Sequence, residues 1–193
     1  TPTITLSATS GTTIVGTNLT FTEKVAQTKG KFTVTSSDTS KATVSQASSN
    51  EIAANTTNNV TVTPKAAGSS TIKVNFTPTD TTNWNTAAEV TYTATVASTA
   101  TIPTNALCKA KANATYTGSA ITLTTATSGT GYTLSGYSQT NANESGYTIT
   151  AKLADGYRWS DNTIEDKTFK CSIAKATPTI TLSATSGTTI VGT

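Results

Sequence analysis

Histidine and methionine are both absent from this 193-residue chain. Without histidine there is no Ser-His-Asp triad, no imidazole acid–base pair and no ordinary zinc site. Two cysteines cannot make a structural zinc site alone. Charge is sparse: 12% of residues are charged, with net charge +3. Arginine occurs once, at Arg158, and Lys24, Lys29, Lys31, Lys41, Lys65 and Lys73 are scattered, so no basic stripe for nucleic acid forms. No apolar run approaches the ~18 residues of a membrane-spanning helix. There is no glycine-rich phosphate loop, and no pair of carboxylates is spaced for glycoside hydrolysis. The expectation is a non-enzyme with no cofactor and no metal.

What the chain does have is Ser and Thr, roughly a third of its residues. Thr is β-branched and favours strands, while Gly, Asn, Pro and Ser supply turns. No long segment carries a helical period. A disordered Ser/Thr-rich stalk would share this composition, but it would lack the regularly spaced apolar pairs, two Trp and six Tyr. The chain also repeats itself. Thr1–Thr17, TPTITLSATSGTTIVGT, recurs letter for letter as Thr177–Thr193, an offset of 176 residues. Such self-similarity marks a repeat architecture. With the missing methionine, it leads us to expect an internal segment of a tandem array. One period is too long for a solenoid unit of about 20–45 residues and suits two small domains.

Apolar residues alternate through residues 1–97: Ile4 and Leu6; Leu19 and Phe21; Phe32 and Val34; Val60 and Val62; Ile72, Val74 and Phe76; Val90, Tyr92, Ala94 and Val96. Turn clusters separate them, notably Ser36-Ser37-Asp38-Thr39-Ser40. About seven strands at ten-residue spacing predict a β-sandwich. Residues 98–106 read as a linker. Residues 107–175 read as a second, smaller β unit. It opens with a strand at Leu107–Ala112, turns at Tyr116–Ser119 and Gly129–Gly131, and alternates through Tyr147, Ile149, Ala151 and Leu153. It closes with Phe169, Cys171 and Ile173. Residues 176–193 begin the next copy. The fold class expected is all-β, two consecutive sandwich domains.

The stretches Ile4–Ser7, Ile14–Gly16, Leu19–Thr22, Val34–Ser45 and Gly68–Val74 resemble a bacterial immunoglobulin-like domain of group 2. Ser36–Val44 is the most specific part. The chain departs from that pattern between Gln46 and Asn59, where a longer Asn/Ser/Ala segment replaces a short hairpin. Tyr116–Gly118, Ser135–Thr163 and Lys167–Ala176 resemble the short Ig-like repeats of bacterial surface proteins and phage appendages. The resemblance implies an Ig-like fold and is silent about ligand.

Cys108 and Cys171 fall in the expected first and last strands of the second unit. The expected arrangement is a disulfide, which would mark an oxidising compartment. Two buried thiols packing as small apolar side chains are the alternative. Trp84, in the loop after Pro78, is the candidate for an exposed ligand-contacting aromatic, with packing against the domain edge as the plainer reading. Tyr137, Tyr147, Tyr157 and Trp159 could form a carbohydrate platform, but their alternating positions suit core. Asp161, Asn162, Glu165 and Asp166 cluster without the spacing of a calcium loop and read as a solvated turn. Lys24 or Lys73 could form an intramolecular Lys–Asn isopeptide bond with Glu89 as the acid, though no motif supports one.

These features point to a structural repeat unit of a long extracellular bacterial surface protein, an adhesin stalk or filament shaft. Its partners would be adjacent repeats, and other copies of the chain through Thr177–Thr193. A carbohydrate- or host-binding module and a phage tail or virion appendage are the alternatives.

Overall fold

The structure is a computed structural model, and it describes residues 1–45 and 48–183. The chain forms two compact units. The first comprises Thr1–Pro103, Ser128–Thr133 and Ala151–Lys167; the second comprises Thr104–Thr127, Leu134–Thr150 and the residues from Thr168 onward.

In the first unit, eight strands form two four-stranded sheets. They are β1 (Ile4–Leu6), β2 (Ser10–Thr13), β3 (Leu19–Val25), β4 (Gly30–Ser36), β5 (Ala42–Val44), β6 (Thr57–Pro64), β7 (Gly68–Pro78) and β8 (Val90–Val96). The sheet orders are β1-β3-β6-β5 and β2-β8-β7-β4. Every pairing is antiparallel except β2 with β8, which is parallel. Side chains alternate as a half-buried strand requires. Along β4, Phe32 and Val34 point inward while Lys31, Thr33 and Thr35 face water. Along β7, Ile72, Val74 and Phe76 point inward, opposite Tyr92 of β8 and Val34 and Phe32 of β4. Phe21 stacks on Tyr92 at 4.4 Å between ring centroids, and Phe32 meets Phe76 at 4.9 Å. Burying each such ring stabilises the fold by about 1.5–3 kcal/mol.

The Ser36–Ser40 cluster forms a turn because its side chains replace missing ladder bonds. Asp38 accepts from the Ser40 amide at 2.9 Å and hydroxyl at 2.6 Å, which holds its carboxyl below the usual range. The hydroxyl of buried Ser70 accepts from the Asp38 amide and meets the Ser36 hydroxyl at 2.8 Å. The longer segment that departs from the family pattern has a structural use. Ser48 and Ile52 bridge antiparallel to Thr33 and Gly30 of β4. The Ser49 hydroxyl accepts from the Phe32 amide at 2.9 Å. The segment therefore covers backbone groups that β4 would otherwise leave open at the sheet edge. Gln46 and Ala47 lie outside the described residues.

Part of the expected linker is structured. Ser98–Ala100 forms β9, parallel to Tyr157–Trp159 (β15) in the same unit. Ser98 donates to the Gly156 carbonyl at 3.0 Å, and Ser160 donates to that of Ala100 at 2.9 Å. Three small residues carry too little alternation to announce a strand, and long-range pairing decides here. The first unit also holds a hairpin between Ser128–Gly129 (β11) and the start of Tyr132–Ser135 (β12). Gly131 turns it at φ +78°, and a Cβ there would strike the Tyr157 ring.

In the second unit, Leu107–Ala112 is not the expected strand. Asn105–Leu107 and Lys111–Asn113 are short 3-10 turns on either side of Cys108. The Thr104 hydroxyl caps the first by accepting from the Ala106 amide. This local bond competes with extension, and Cys108 keeps a single bridge, to Thr124. Ile121–Thr122 (β10) pairs with Ser138–Gln139 (β13). β12, Asn143–Leu153 (β14) and Lys167–Ile173 (β16) lie side by side in that order. Leu123, Leu134, Ile149, Phe169, Cys171 and Ile173 are buried here.

Candidate functional site

The repeated segment occupies an unusual place in the first unit. Its first copy runs along the outer edge of both sheets in turn. Among the described residues β1 pairs only with β3, placing Ile4 opposite Val25 and Leu6 opposite Glu23. The chain then crosses over. Ser7 donates to the Thr22 carbonyl at 3.0 Å, and its hydroxyl accepts from the Thr22 amide at 2.8 Å. Among the described residues β2 pairs only with β8, from Ser10 opposite Thr93 to Thr13 opposite Val96. Gly11 lies against the Tyr92 hydroxyl so closely that a Cβ would collide with it. The Thr13 hydroxyl donates to the Thr17 carbonyl at 2.7 Å, closing the turn through Ile14–Gly16. Ile4 is 6% exposed, and Thr13 and Ile14 are buried. In the second copy, Ile180 is 85% and Leu182 67% exposed. Ile190 and Val191 lie outside the described residues.

The other singled-out residues fall into place around frameworks of their own. Cys108 and Cys171 are joined by a disulfide, with Cα atoms 5.4 Å apart, tying the stretch between the 3-10 turns to β16. Trp84 is half-buried, in a loop held by Asp80. That carboxylate accepts from the Thr82 and Asn83 amides and from Asn83 Nδ2 at 2.7 Å. Trp159 is fully buried, its ring 5.5 Å from that of Tyr132, and its indole N–H donates to the Glu165 carbonyl at 2.7 Å. Tyr137, Tyr147 and Tyr157 are half-buried.

Asp161 accepts from the Thr163 amide and hydroxyl, and from Lys167 Nζ at 2.7 Å. These bonds, the lysine first, pull its carboxyl down to about 2. The turn therefore neutralises its own carboxylate. Among the described residues, no three His, Cys, Asp or Glu side chains gather as metal ligands would. Glu89 does lie between Lys73, at 3.5 Å, and Asn75 Nδ2, at 3.1 Å. Both ends of the ion pair are well exposed, and water solvates the charged amine and carboxylate.

One buried carboxyl escaped the sequence reading. Glu23 is 0% exposed, in the inward row of β3 between Phe21 and Val25. Asn58 of β6, its cross-strand partner, donates to Glu23 Oε1 at 2.6 Å, while Oε2 has no partner. Burial pushes the carboxyl up to about 7, against the smaller pull of the Asn58 bond. The signal was present: Leu19, Phe21, Glu23 and Val25 share one face by strict alternation.

No family model and no curated protein matches the chain. Among solved structures it is similar to domains 4 and 5 of the S-layer protein SbsC, at 30% identity and a TM-score of 0.39. That match covers 50% of this chain and 46% of the other, so the chain spans about half of that structure. Domains 5–6 of SbsC align over 92% of this chain and all of theirs, at 17% identity and a TM-score of 0.38. WR4, an MSP family member of C. elegans, aligns over 49% of this chain and 97% of its own, at 14% identity and 0.42.

Proposed function

We propose that this chain is a structural repeat unit of a long extracellular bacterial surface protein, serving as stalk or shaft. The observation that carries this reading is the repeated segment. In the first unit its initial copy makes the entry strands of a sandwich, and the same seventeen residues return 176 positions later. A chain built this way reads as modules in series. The disulfide supports an oxidising, extracytoplasmic setting. The sparse charge and the Thr-rich outer faces suit a soluble spacer. Antibodies raised to the chain should label intact cells of the source organism, and surface proteolysis should remove the label. Labelling that requires permeabilised cells refutes the proposal. A glycan array probed with the isolated chain should stay blank, and saturable binding lost in Trp84→Ala would favour a binding module instead.

A further inference from the structure

A cavity of about 390 Å³ opens on the outer face of the β2-β8-β7-β4 sheet, where β8 ends, and its lining lies wholly within the first unit. Its floor is one cross-strand row of hydroxyl side chains. Thr12 of β2 stands opposite Thr95 of β8, and Thr95 opposite Ser69 of β7. Ser69 Oγ and Thr95 Oγ1 are 3.3 Å apart. The wall arises because the chain changes neighbours on leaving β8. The Ala97 amide still donates to the Thr13 carbonyl at 2.7 Å, but the next amide, Ser98, donates to the Gly156 carbonyl at 3.0 Å. Gly156 and Arg158 thus line the same cavity as the hydroxyl row. Arg158 is the one charged residue of the lining, and no carboxylate joins it there. Among the described residues its fork makes one hydrogen bond, from Nη1 to the Asn162 carbonyl at 2.9 Å. Ion pairs form there at Lys29, Lys73 and Lys167, and none at Arg158. Asp161, three residues on, already accepts from Thr163 and Lys167. A guanidinium has five N–H donors in one plane, so four remain.

We propose that this cavity binds a carboxylate carried on a short aliphatic stem. The free donors of Arg158 match the two oxygens of a carboxylate. The hydroxyls of Thr12, Ser69 and Thr95 bond whatever polar group the ligand carries beside it, and Val96 and Ala97 offer apolar surface to the stem. The volume sits at the low end of the roughly 300–1,000 Å³ of small-molecule sites, so the ligand is one acidic side chain of a peptide or a free dicarboxylic acid.

This goes beyond a spacer role and does not depend on it: surface labelling of cells tests the one, and ligand titration the other. The test follows the amides of Ser69, Ser98 and Gly156 by nitrogen-15 NMR in the full chain. The probes are glutarate, the capped peptide acetyl-Gly-Glu-Gly-amide, its Gln counterpart and inorganic phosphate. At least one of the two acids should give saturable shifts with a Kd on the order of millimolar. The tighter of the two names the source, a free acid or a peptide partner. The Gln peptide should bind about tenfold more weakly than the Glu peptide, and Arg158→Gln should lose the acids by a similar factor. Arg158→Lys keeps the charge without the planar fork and should also weaken binding. Should Arg158→Gln disturb its own turn, Ser69→Ala with Thr95→Val alters the floor alone and should weaken binding while leaving the Gly156 amide at its wild-type position in the free protein. No shift from either acid overturns the proposal. So do equal binding of the Gln and Glu peptides, phosphate binding more tightly than both acids, and full retention of binding in Arg158→Gln or in the floor variant.

Discussion

Replacing Glu23 by Gln should flatten the pH dependence of the first unit's stability. The native carboxyl sits at about 7 against an ordinary 4.5. A group whose folded pKa is raised contributes stability fully below its unfolded pKa, and that contribution is lost as pH rises through the folded value. The wild-type unit should thus be most stable near pH 4–5 and weaken towards pH 8. At ~1.4 kcal/mol per pH unit the shift from 4.5 to about 7 sets a ceiling of about 3 kcal/mol. Gln is neutral throughout and still accepts from Asn58. The variant should match the wild type at low pH and exceed its stability by that amount at pH 8. The assay is unusually clean. The chain has no histidine, so no other side chain ordinarily titrates between pH 5 and 8. Glu23's neighbours along and across the strands, Phe21, Val25, Leu6 and Asn58, carry no charge. Trp84 and Trp159 both belong to the first unit, so their fluorescence in urea reports it. A constant offset between the two proteins from pH 5 to 8 would refute the reasoning, as would a wild type that gains stability on alkalinisation.

Other perturbations address other parts of the molecule. Reducing the Cys108–Cys171 bond, or changing both residues to Ser, should destabilise the second unit by about 4 kcal/mol from the loop of 63 residues it closes, read by circular dichroism with and without dithiothreitol. Tyr92→Ala removes the partner of Phe21 and should cost about 3–5 kcal/mol in urea unfolding. Gly11→Val drives a side chain into Tyr92 and should loosen β2 first, seen as faster amide exchange at Thr93 and Ala97, whose amides donate to Thr9 and Thr13. Trp84→Ala, in a half-buried loop, should shift the unfolding midpoint less than Tyr92→Ala does.

The sandwich was legible because its strands are long and half-buried. Seven residues of GKFTVTS with one apolar face leave little choice of register, and a one-residue slip would drown Phe32 and Val34. β9 and the cover over β4 were not legible, since three residues of Ser-Thr-Ala pair only because of what runs beside them. Leu107–Ala112 misled because its Leu and Ala look like strand, while the Thr104 hydroxyl commits the backbone to a local turn. Glu23 was missed for the opposite reason. Its type suggests a surface, but its position in an alternating row outweighs its type. The segment Thr1–Thr17 was recognised as a unit of repetition, yet only the sheet order reveals that it hems both sheets.

That hem also fixes how the first unit bears a load. β2 runs parallel to β8, so tension entering at Ser10 and leaving at Val96 draws the two strands in opposite directions along their shared axis. The bonds between them are then strained together rather than one after another. β1, ahead of the crossover at Ser7, is held to β3 only over Ile4–Leu6, a shorter register than that of the parallel pair.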